Sequence, residues 1–558
     1  MFRSFRYDLA ILVAITLVFA AVGGHPFYHP DANIARSFHV LTHAGDPGFF
    51  RYPGLILYAE ALAYLATCGI LLTLGVVRSP DDFFRACSSG VLPGGVPLFL
   101  PALLVTYLFS AAGVVLTYLL AHRLTRDRLF GFMAALFLST SLLWIADSHF
   151  TTVDIPMATL CLATVFATCV FTEHAGPLSP RQLIILGLLI GFSTSAKYNA
   201  VLVAAPVAAA TIAGAVERRT WRSNMLKIGL VAAATFLLAN PYALVALPTF
   251  LRESLDELAH GMRGHFGYQQ DQGFWYHMQT SLFYALGTPI LILSVIGMYS
   301  FITDVRTAAS TRRAVLSFPL VYYVVVGASK LAFERYMIPV LPFVAVFAAL
   351  GAQDIYQMMQ ARVAGTRRLR ATILLLAVLL VIPNVSDVVV HDRLLAGADT
   401  RGLLRSIFES SQRLRSAIVF GGHYTGSILP VTVVEQWPPL ATMHPDIVAF
   451  DSFSHDRFLY DPFKRRRFPI QKARLDSGYV FQLSPFTRLK AQVPFSPKSV
   501  YSPYLPDLRQ RQMAGPFIEL YFTDEGIGGE LRARCKELGI AFNLSRASGG
   551  YYFQNCED

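Results

Sequence analysis

A carboxylate flanked by histidines and an arginine follows the first apolar run of the chain. Residues 25–36 read HPFYHPDANIAR, shortly after the apolar run Leu9–Val22. Asp31 follows a proline, so it is a candidate N-cap of an amphipathic helix at a membrane surface. It is also a candidate general base, because a capping position favours the ionised carboxylate that accepts a proton. Both interpretations stay open from these residues alone, and His29 beside it is a candidate substrate contact.

A second acidic position lies at the start of a later apolar run. In DSHFTTVDIP, Asp154 precedes Ile-Pro, and Asp147 and His149 lie at the same boundary. Helix capping explains Asp154 as well as chemistry does. A His-x4-Asp spacing fits a divalent ion, but two ligands are too few to define a metal site. The sequence therefore predicts no metal-binding residues, leaves a divalent cation open as a cofactor, and makes His149 a candidate substrate contact.

Basic residues lie at the ends of several apolar runs. Lys197 stands in GFSTSAKYNA, Lys330 and Arg335 stand in SKLAFERYMIP, and Arg51 precedes a long apolar stretch. Such cations either extend towards lipid headgroups or neutralise a lipid phosphate at the membrane surface. The glycine-rich loop HGMRGHFGYQQDQG contains His265 and either folds over a ligand or simply connects two spans. We treat all five residues as candidate substrate-binding residues.

The composition is that of a polytopic membrane protein. Hydrophobic residues make up 54% of the chain and charged residues 15%, and long apolar runs predict about eleven transmembrane helices. The composition becomes mixed after residue 389, so we predict a membrane domain of residues 1–390 and a soluble domain of residues 391–558. The predicted spans are 8–23, 98–121, 129–146, 154–172, 182–196, 199–215, 228–246, 279–300, 314–328, 336–352 and 371–388.

The distribution of positive charge decides how these spans are oriented. The net charge of +11 is typical of lysine and arginine in cytoplasmic loops and does not indicate a nucleic-acid partner. If the apolar stretch 53–77 lies on the membrane surface, 17 basic residues fall on one side and nine on the other. If it crosses, the densest basic loops face outward. We therefore predict a surface or re-entrant position for 53–77, a retained amino-terminal anchor, and all candidate site residues on the outer side.

The last part of the chain predicts a small α/β domain. Residues 401–416 have the pattern of an amphipathic helix, and 416–422, 429–437 and 517–522 have the pattern of strands. The basic run KRRR at 464–467 is typical of a solvated face, although an outward basic patch also fits an anionic acceptor. Cys535 and Cys556 can pair if this domain faces an oxidising compartment.

As a set, the motifs resemble those of the GT-C glycosyltransferases, and within them the bacterial dolichyl-phosphate-mannose-protein mannosyltransferase-like group. The resemblance extends over residues 1–390 and depends on the order and common side of the motifs. It implies an α-helical polytopic membrane protein with interfacial helices in its first outer loop. In chain order the motifs are HPDANIAR, RYPGLILYAEAL, SHFTTVDIP, GFSTSAKYNA, NPYALV, HGMRGHFGYQ and FERYMIPVLPF.

The resemblance also implies an activity and residue roles. The activity is transfer of a sugar from a polyprenyl-phosphate donor to an extracytoplasmic acceptor hydroxyl on a lipid, glycan or protein. Asp31 would be the base, Asp154 the second acidic position, and Lys197 and Arg335 the contacts to the donor phosphate. A single displacement between base and cations would invert the anomeric centre. Relatives often have Asp-Glu where this chain has Asp31-Ala32, so the role of that glutamate is unfilled or taken by Asp154.

Two other function classes remain as alternatives. A transporter or flippase of lipid-linked sugars usually has internal repeats and ionisable residues at mid-depth, and the sequence shows neither. An inactive scaffold in envelope polysaccharide assembly is kept open by Ala32 in place of glutamate. The predicted partners are a polyprenyl-phosphate-linked sugar, membrane lipid and an extracytoplasmic acceptor. The predicted location is the bacterial inner membrane, with a cytoplasmic amino terminus and a periplasmic C-terminal domain.

Overall fold

The chain forms two compact units. A computed structural model describes residues 2–22, 33–88, 91–92, 96–173, 176–214, 218–263, 273–304, 307–362, 366–421, 429, 431–434, 445–451, 478–486 and 505–547. The first unit comprises Met1–Arg263 and Gln270–Val389, and the second comprises Gly264–Gln269 and Val390–Asp558.

Among the described residues of the amino-terminal part, the regular secondary structure is helical apart from a short hairpin of β1 (Val91–Leu92) and β2 (Val96–Pro97). The polypeptide satisfies its own backbone hydrogen bonds in this way, which is required wherever it contacts lipid. Its helices are α1 (Phe2–Val22), α2 (Ile34–Thr42), α3 (Leu55–Thr73), α4 (Pro80–Ser88), α5 (Leu100–Thr125), α6 (Arg128–Ser139), α7 (Leu142–Ser148), α8 (Asp154–Thr172), α9 (Pro180–Ala196), α10 (Ala204–Gly214), α11 (Arg218–Ala239), α12 (Tyr242–Val245), α13 (Leu247–Arg263), α14 (Gly273–Tyr276), α15 (Phe283–Leu286), α16 (Thr288–Thr303), α17 (Ala309–Gly327), α18 (Leu341–Gln360) and α19 (Thr366–Ala396).

Every predicted span coincides with one or more of these helices, and the protein is an integral membrane protein. Within the described residues, six helices are long and apolar enough to cross a membrane, or eight if each of two bent pairs is one span. The bent pairs are α6 with α7, at 58°, and the segment Gly273–Leu286 with α16, at 108°. The bends have local causes: Thr140–Ser141 separates α6 from α7, and Gly287, with a φ of 77°, precedes Pro289 in the second pair. The predicted count of about eleven crossings remains a prediction.

Helix α3 contacts one end of the bundle through both its start and its middle. The backbone N–H of Gly54, which precedes the helix, donates to Asn240 Oδ1 at 2.5 Å, just after α11 ends. Tyr64, in the middle of α3, donates its hydroxyl hydrogen to the carbonyl oxygen of Leu98 at 2.8 Å, just before α5 begins. These contacts fit the predicted surface position of 53–77. The length and hydropathy of α3 also fit a span, so its relation to the membrane remains a prediction.

Glycines let the spans of this unit approach one another closely. A Cβ atom on Gly297 of α16 would overlap the carbonyl oxygen of Phe347 on α18, and a Cβ on Gly351 of α18 would overlap that of Leu293. Close approach at small residues is a main source of helix association in membranes, because apolar side chains gain nothing there from leaving lipid. The pair α16–α18 therefore depends on these two glycines.

The second unit contains a six-stranded mixed sheet. Its strand order is β4-β3-β5-β7-β6-β8; β3 is parallel to β4 and β5, and the remaining pairs are antiparallel. The sequence predictions of a helix near 401–416 and of strands in 416–422, 429–437 and 517–522 are confirmed. The elements are α20 (Thr400–Glu409), α21 (Gln412–Arg415), β3 (Ile418–Gly421), β4 (Thr432–Val434), β5 (Ile447–Asp451), β6 (Tyr479–Leu483), β7 (Ile518–Phe522), α22 (Glu525–Glu537) and β8 (Asn543–Arg546).

One face of this sheet packs against the helices of the second unit. Phe408 from α20, Phe481 and Leu520 from the sheet, and Leu531 from α22 are fully buried in one apolar cluster. Cys535 is buried in the same cluster. Its candidate disulfide partner Cys556 lies outside the described residues, as do the KRRR residues at 464–467.

We expect Gly297→Ala to destabilise the protein and Gly229→Ala to do the opposite. The first substitution places a methyl group against backbone and should cost about 1–3 kcal/mol of unfolding free energy. At Gly229, on exposed α11, an added Cβ meets no described atom within 4 Å. There, removal of a helical glycine should gain about 0.5–1 kcal/mol. Thermal unfolding in detergent measures both effects, and equal shifts in the two variants would contradict the packing described here.

Candidate active site

Asp154 is the centre of a buried ionic cluster at one end of the spans. Its Oδ1 accepts a hydrogen bond from Lys197 Nζ at 2.7 Å, and its Oδ2 lies 3.7 Å from Arg335 Nε. The carboxylate side chain is 3% exposed and each cationic side chain is 11% exposed. A carboxylate at this depth is stable only beside opposite charge, because removing an ion from water costs several kcal/mol.

Three chain segments that are distant in sequence hold these charges together. Asp154 lies in the first turn of α8, where the helix dipole favours a negative charge. Lys197 is the first residue after α9 and has an extended backbone, with φ −156° and ψ 135°, which turns the chain away from the helix axis. Arg335 belongs to the short helical turn Glu334–Val340 that directly precedes α18. The cluster therefore forms where one span begins, another ends and a third is entered.

Aromatic rings cover the cations. Lys197 Nζ lies 4.8 Å from the ring centroid of Tyr336 and 5.9 Å from that of Tyr52. The guanidinium carbon of Arg335 lies 4.9 Å from the centroid of Phe333 and 6.0 Å from that of Tyr336. Such contacts stabilise a cation that has lost water. The site therefore contains charged groups and, next to them, aromatic rings that are compatible with lipid.

A second buried carboxylate, Asp147, lies in the same electrostatic environment. It is 5% exposed and accepts a hydrogen bond from Thr152 Oγ1 at 2.9 Å. Asp154, Arg335 and Lys197 are its charged neighbours. Two acidic and two basic side chains therefore lie near one another at this end of the bundle.

Hydrogen bonds tie the segment between α1 and α3 to this end of the bundle. The backbone N–H of Asn33 donates to the carbonyl oxygen of Thr151 at 3.0 Å, three residues before Asp154. Ser37 donates to Glu60 Oε2 at 2.5 Å, and this carboxyl is fully buried. The start of α2 is therefore fixed both to α3 and to the loop that leads into Asp154.

Asn240 supplies a further link between the loop and the spans. Its side-chain oxygen accepts the N–H of Gly54 at 2.5 Å, and its Nδ2 donates to Ser195 Oγ at 3.0 Å, near the end of α9. The residues before Gly54 include Tyr52, which faces Lys197. Asn240 therefore joins this segment to the end of α9.

The comparisons with known proteins agree with this architecture. Residues 95–242 match the family model described as dolichyl-phosphate-mannose-protein mannosyltransferase. ArnT from Cupriavidus metallidurans in the apo state is similar at 12% identity over 82% of this chain and 93% of that chain, with a TM-score of 0.52. The same protein bound to undecaprenyl phosphate gives 13% identity, 81% and 93% coverage, and a TM-score of 0.53.

An archaeal structure is similar over an even larger part of this chain. The Archaeoglobus fulgidus oligosaccharyltransferase in the apo form covers 89% of this chain and 76% of its own, at 12% identity and a TM-score of 0.53. The chain has the GT-C glycosyltransferase fold. The family match and the structural similarity confirm the resemblance inferred from the order of the motifs. No curated protein matches the sequence.

The family match and the structural similarity differ in how much of the chain around the ionic cluster they cover. The matched residues 95–242 include Asp154, Lys197 and Asn240, but end before Arg335. The structural similarity covers 81–89% of this chain, and at 12–13% identity it shows the fold alone. The contacts among the chain's own side chains must therefore carry any argument about chemistry.

The structure brings together some of the predicted site residues and leaves others apart. Asp154, Lys197 and Arg335 are in contact, and His149 is buried at the end of α7. Arg51 and Lys330 are exposed, and neither takes part in an ion pair among the described residues. Asp31, His29 and His265 lie outside the described residues, so their roles remain predictions.

Sequence reasoning missed several residues of this site. Asp147 was noted only as a neighbour of His149, although two acids seven positions apart at one span boundary were a usable signal. Tyr52 and Tyr336 stand next to the candidates Arg51 and Arg335. No local pattern connects Glu60 to Ser37 or Gly54 to Asn240, because these pairs form only in the folded bundle.

The two described carboxylates of the cluster do not form a good cation site. Lys197 and Arg335 already neutralise Asp154, and both would repel an incoming divalent ion. Calcium and magnesium prefer several oxygen ligands without nearby ammonium or guanidinium groups. We therefore derive no chemical step through a metal at Asp154.

We expect Asp154 and Lys197 to be strongly coupled in stability. Asp154→Ala leaves buried cations without their partner and should cost about 3–5 kcal/mol. Adding Lys197→Met should recover part of this loss, because the unpaired ammonium is removed as well. Unfolding of the single and double variants in detergent measures the coupling, and purely additive losses would contradict it.

The matched control is the exposed ion pair of Arg413 and Asp524 in the second unit. Arg413 Nη2 donates to Asp524 Oδ2 at 2.6 Å, and the two side chains are 51% and 49% exposed. The guanidinium lowers the pKa of Asp524, but water screens a surface pair of this kind. The corresponding variants, Asp524→Ala with Arg413→Met, should therefore show no measurable coupling.

Proposed function

We propose that this protein is an integral-membrane, inverting glycosyltransferase. It moves a sugar from a polyprenyl-phosphate donor to the hydroxyl of an extracytoplasmic lipid, glycan or protein. The observation that carries this proposal is the buried cluster of Lys197, Arg335 and Asp154 at one end of the GT-C membrane bundle. The similar ArnT structure that contains undecaprenyl phosphate supports a lipid of the same chemical class as the donor carrier.

The cations of the cluster are proposed to receive the donor phosphate. The guanidinium of Arg335 has five N–H donors in a rigid fork and can contact Asp154 and a phosphate together. The ammonium of Lys197 lies beside it, with Asp154 between the two. Tyr52, Phe333 and Tyr336 flank these charges and suit the apolar chain that follows the phosphate. Arg51 and Lys330 are exposed and are proposed to attract the donor before it enters.

Asp31 is proposed as the general base. It precedes Asn33 by two residues, and Asn33 is hydrogen-bonded to Thr151 near Asp154. Because consecutive Cα atoms are about 3.8 Å apart, Asp31 is tethered within about 8 Å of Asn33. This tether keeps the base within reach of the end of the bundle where the cations lie. His29, His149 and His265 are proposed to contact the sugar or the acceptor.

The proposed reaction gives these side chains the following roles. The carboxylate of Asp31 takes the acceptor hydroxyl proton as the acceptor oxygen bonds to the anomeric carbon. The bond from that carbon to the phosphate oxygen breaks, and the electron pair leaves with the polyprenyl phosphate. Lys197 and Arg335 stabilise the negative charge that develops on the leaving group. Attack opposite the leaving group inverts the anomeric centre.

The proposal includes a location and an orientation. The apolar donor stays in the bilayer, so its phosphate and the site must meet at a membrane surface. We place that surface on the periplasmic side of a bacterial inner membrane, since the positive-inside rule puts the basic loops in the cytoplasm. The second unit is then periplasmic as well.

Arg335→Gln is expected to weaken binding of a phosphate-bearing prenol about tenfold, which corresponds to about 1.4 kcal/mol for one lost charged contact. Binding of the uncharged prenol should not change, because the aromatic wall remains. Titration with undecaprenyl phosphate and undecaprenol measures the two affinities. Arg85→Gln, at an exposed residue of α4, is the matched control. Equal losses for both lipids would show that Arg335 does not contact the phosphate.

Asp31→Asn is expected to lower the rate of sugar transfer by about 10²–10⁴-fold, the usual contribution of a general base. Donor binding should be preserved, since the cations are unchanged. The assay incubates membranes with a panel of radiolabelled prenyl-phosphate sugars and identifies the labelled product. Asp81→Asn, at an exposed residue of α4, controls for the loss of one negative charge.

The same assay separates the alternative functions. Unchanged transfer in Asp31→Asn would remove the proposed base. Movement of the lipid-linked sugar across the bilayer without product would indicate a flippase. An absence of transfer for every donor, with normal donor binding, would favour an inactive scaffold.

A further inference from the structure

Helix α13 (Leu247–Arg263) carries an exposed apolar stripe along one side. Its members are 42–65% exposed, although each is a large hydrophobic residue. Their spacing of three or four residues places them on one face of the helix, within an arc of about 80° at 100° per residue. The stripe consists of Leu247, Leu251, Leu255, Leu258 and Met262.

The opposite side of α13 packs against the protein. Glu253 Oε2 accepts the backbone N–H of Phe50 at 2.7 Å. The ring of Phe250 contacts those of Phe50, Tyr198 and Phe236 at centroid distances of 6.0–6.4 Å. At the other end, Ser329 donates its hydroxyl hydrogen to the carbonyl oxygen of Gly261 at 2.8 Å. Both ends of the helix are therefore fixed, and the stripe cannot turn inward.

A third side of the helix is charged and exposed. Arg252 and Asp256 lie between the apolar stripe and the protein-facing side. A helix with one apolar face and one charged face cannot lie within the hydrocarbon core and is not stable with its apolar face in water. The membrane–water interface satisfies both faces at once.

We propose that α13 lies flat in the membrane interface and that lipid covers its apolar stripe. Seven residues separate the start of α13 from Ala239, the last residue of α11, and α11 contains a candidate span. The covalent chain therefore holds the start of α13 near the surface of the bilayer. Leu244 and Val245 of the intervening α12 are also exposed, at 58% and 75%, and extend the apolar surface towards α11.

In this position α13 holds the segment before α3 at the membrane surface. Through Glu253 and Phe250 the helix holds Phe50, and Tyr52 two residues later faces Lys197. The depth of α13 in the interface therefore sets the depth of the segment before α3. The inference does not depend on the proposed reaction, because it concerns only which medium covers the stripe.

The test compares adjacent positions on different faces of the helix. Single cysteines replace Leu255 or Asp256 in the full-length protein, which is labelled with an environment-sensitive nitrobenzoxadiazole dye and reconstituted into phosphatidylcholine vesicles. The parent protein, treated with the same dye, provides the background. Lipid with bromine on its acyl chains should quench the dye at position 255 several-fold more than at position 256, and aqueous iodide should show the reverse order.

Two other outcomes would contradict the inference. Equal bromolipid quenching at the two positions would show that the stripe is not in lipid. Disulfide-linked dimers of Leu255→Cys formed under oxidation, with weak quenching, would assign the stripe to a second copy of the chain. If the variant at 255 does not elute like the parent, Leu251→Cys with Arg252→Cys provides a second pair of adjacent positions on the same two faces.

Discussion

The pairing of Asp154 with Lys197 and Arg335 is the interaction on which the site depends. A carboxylate and two cations that are almost fully buried at a bundle end offset one another's lost hydration only when they are in contact. The three residues come from the start of α8, the end of α9 and the turn before α18. Their mutual neutralisation therefore requires those three helix ends to meet, and it makes the site inseparable from the packing of the bundle.

The surrounding elements bring the segment between α1 and α3 to these charges. Asn33 bonds to Thr151, Gly54 bonds to Asn240, and Phe50 is held by Glu253 of α13. Each bond uses a backbone N–H of this segment, a group that costs free energy when it is buried without a partner. The loop is thus fixed by main-chain hydrogen bonds, and side chains such as Tyr52 are left to face the site.

The GT-C fold suits the chemistry proposed for this protein, which would take place at a membrane surface. A polyprenyl phosphate has an apolar tail that stays in lipid and a charged group that does not. A bundle with apolar sides and a charged, aromatic-lined end matches both parts. Helix α13 extends the same principle to the interface, with its apolar stripe towards lipid and the side that contains Glu253 and Phe250 towards Phe50. The fold supplies this arrangement, and the chain's own residues supply the charges and their spacing.

The sequence by itself determined the membrane class, the helical segments and several residues of the site. Apolar runs and helix-stop signals are local, so spans such as 154–172 and the strand at 517–522 could be read directly. Charge at span ends identified Asp154, Lys197 and Arg335 for the same reason. Only the tertiary structure decided that these three meet, that Asp147 joins them, and that Glu60 reaches Ser37 and Asn240 reaches Gly54. Those contacts depend on how helices cross and how closely glycines let them approach, and no local pattern encodes either.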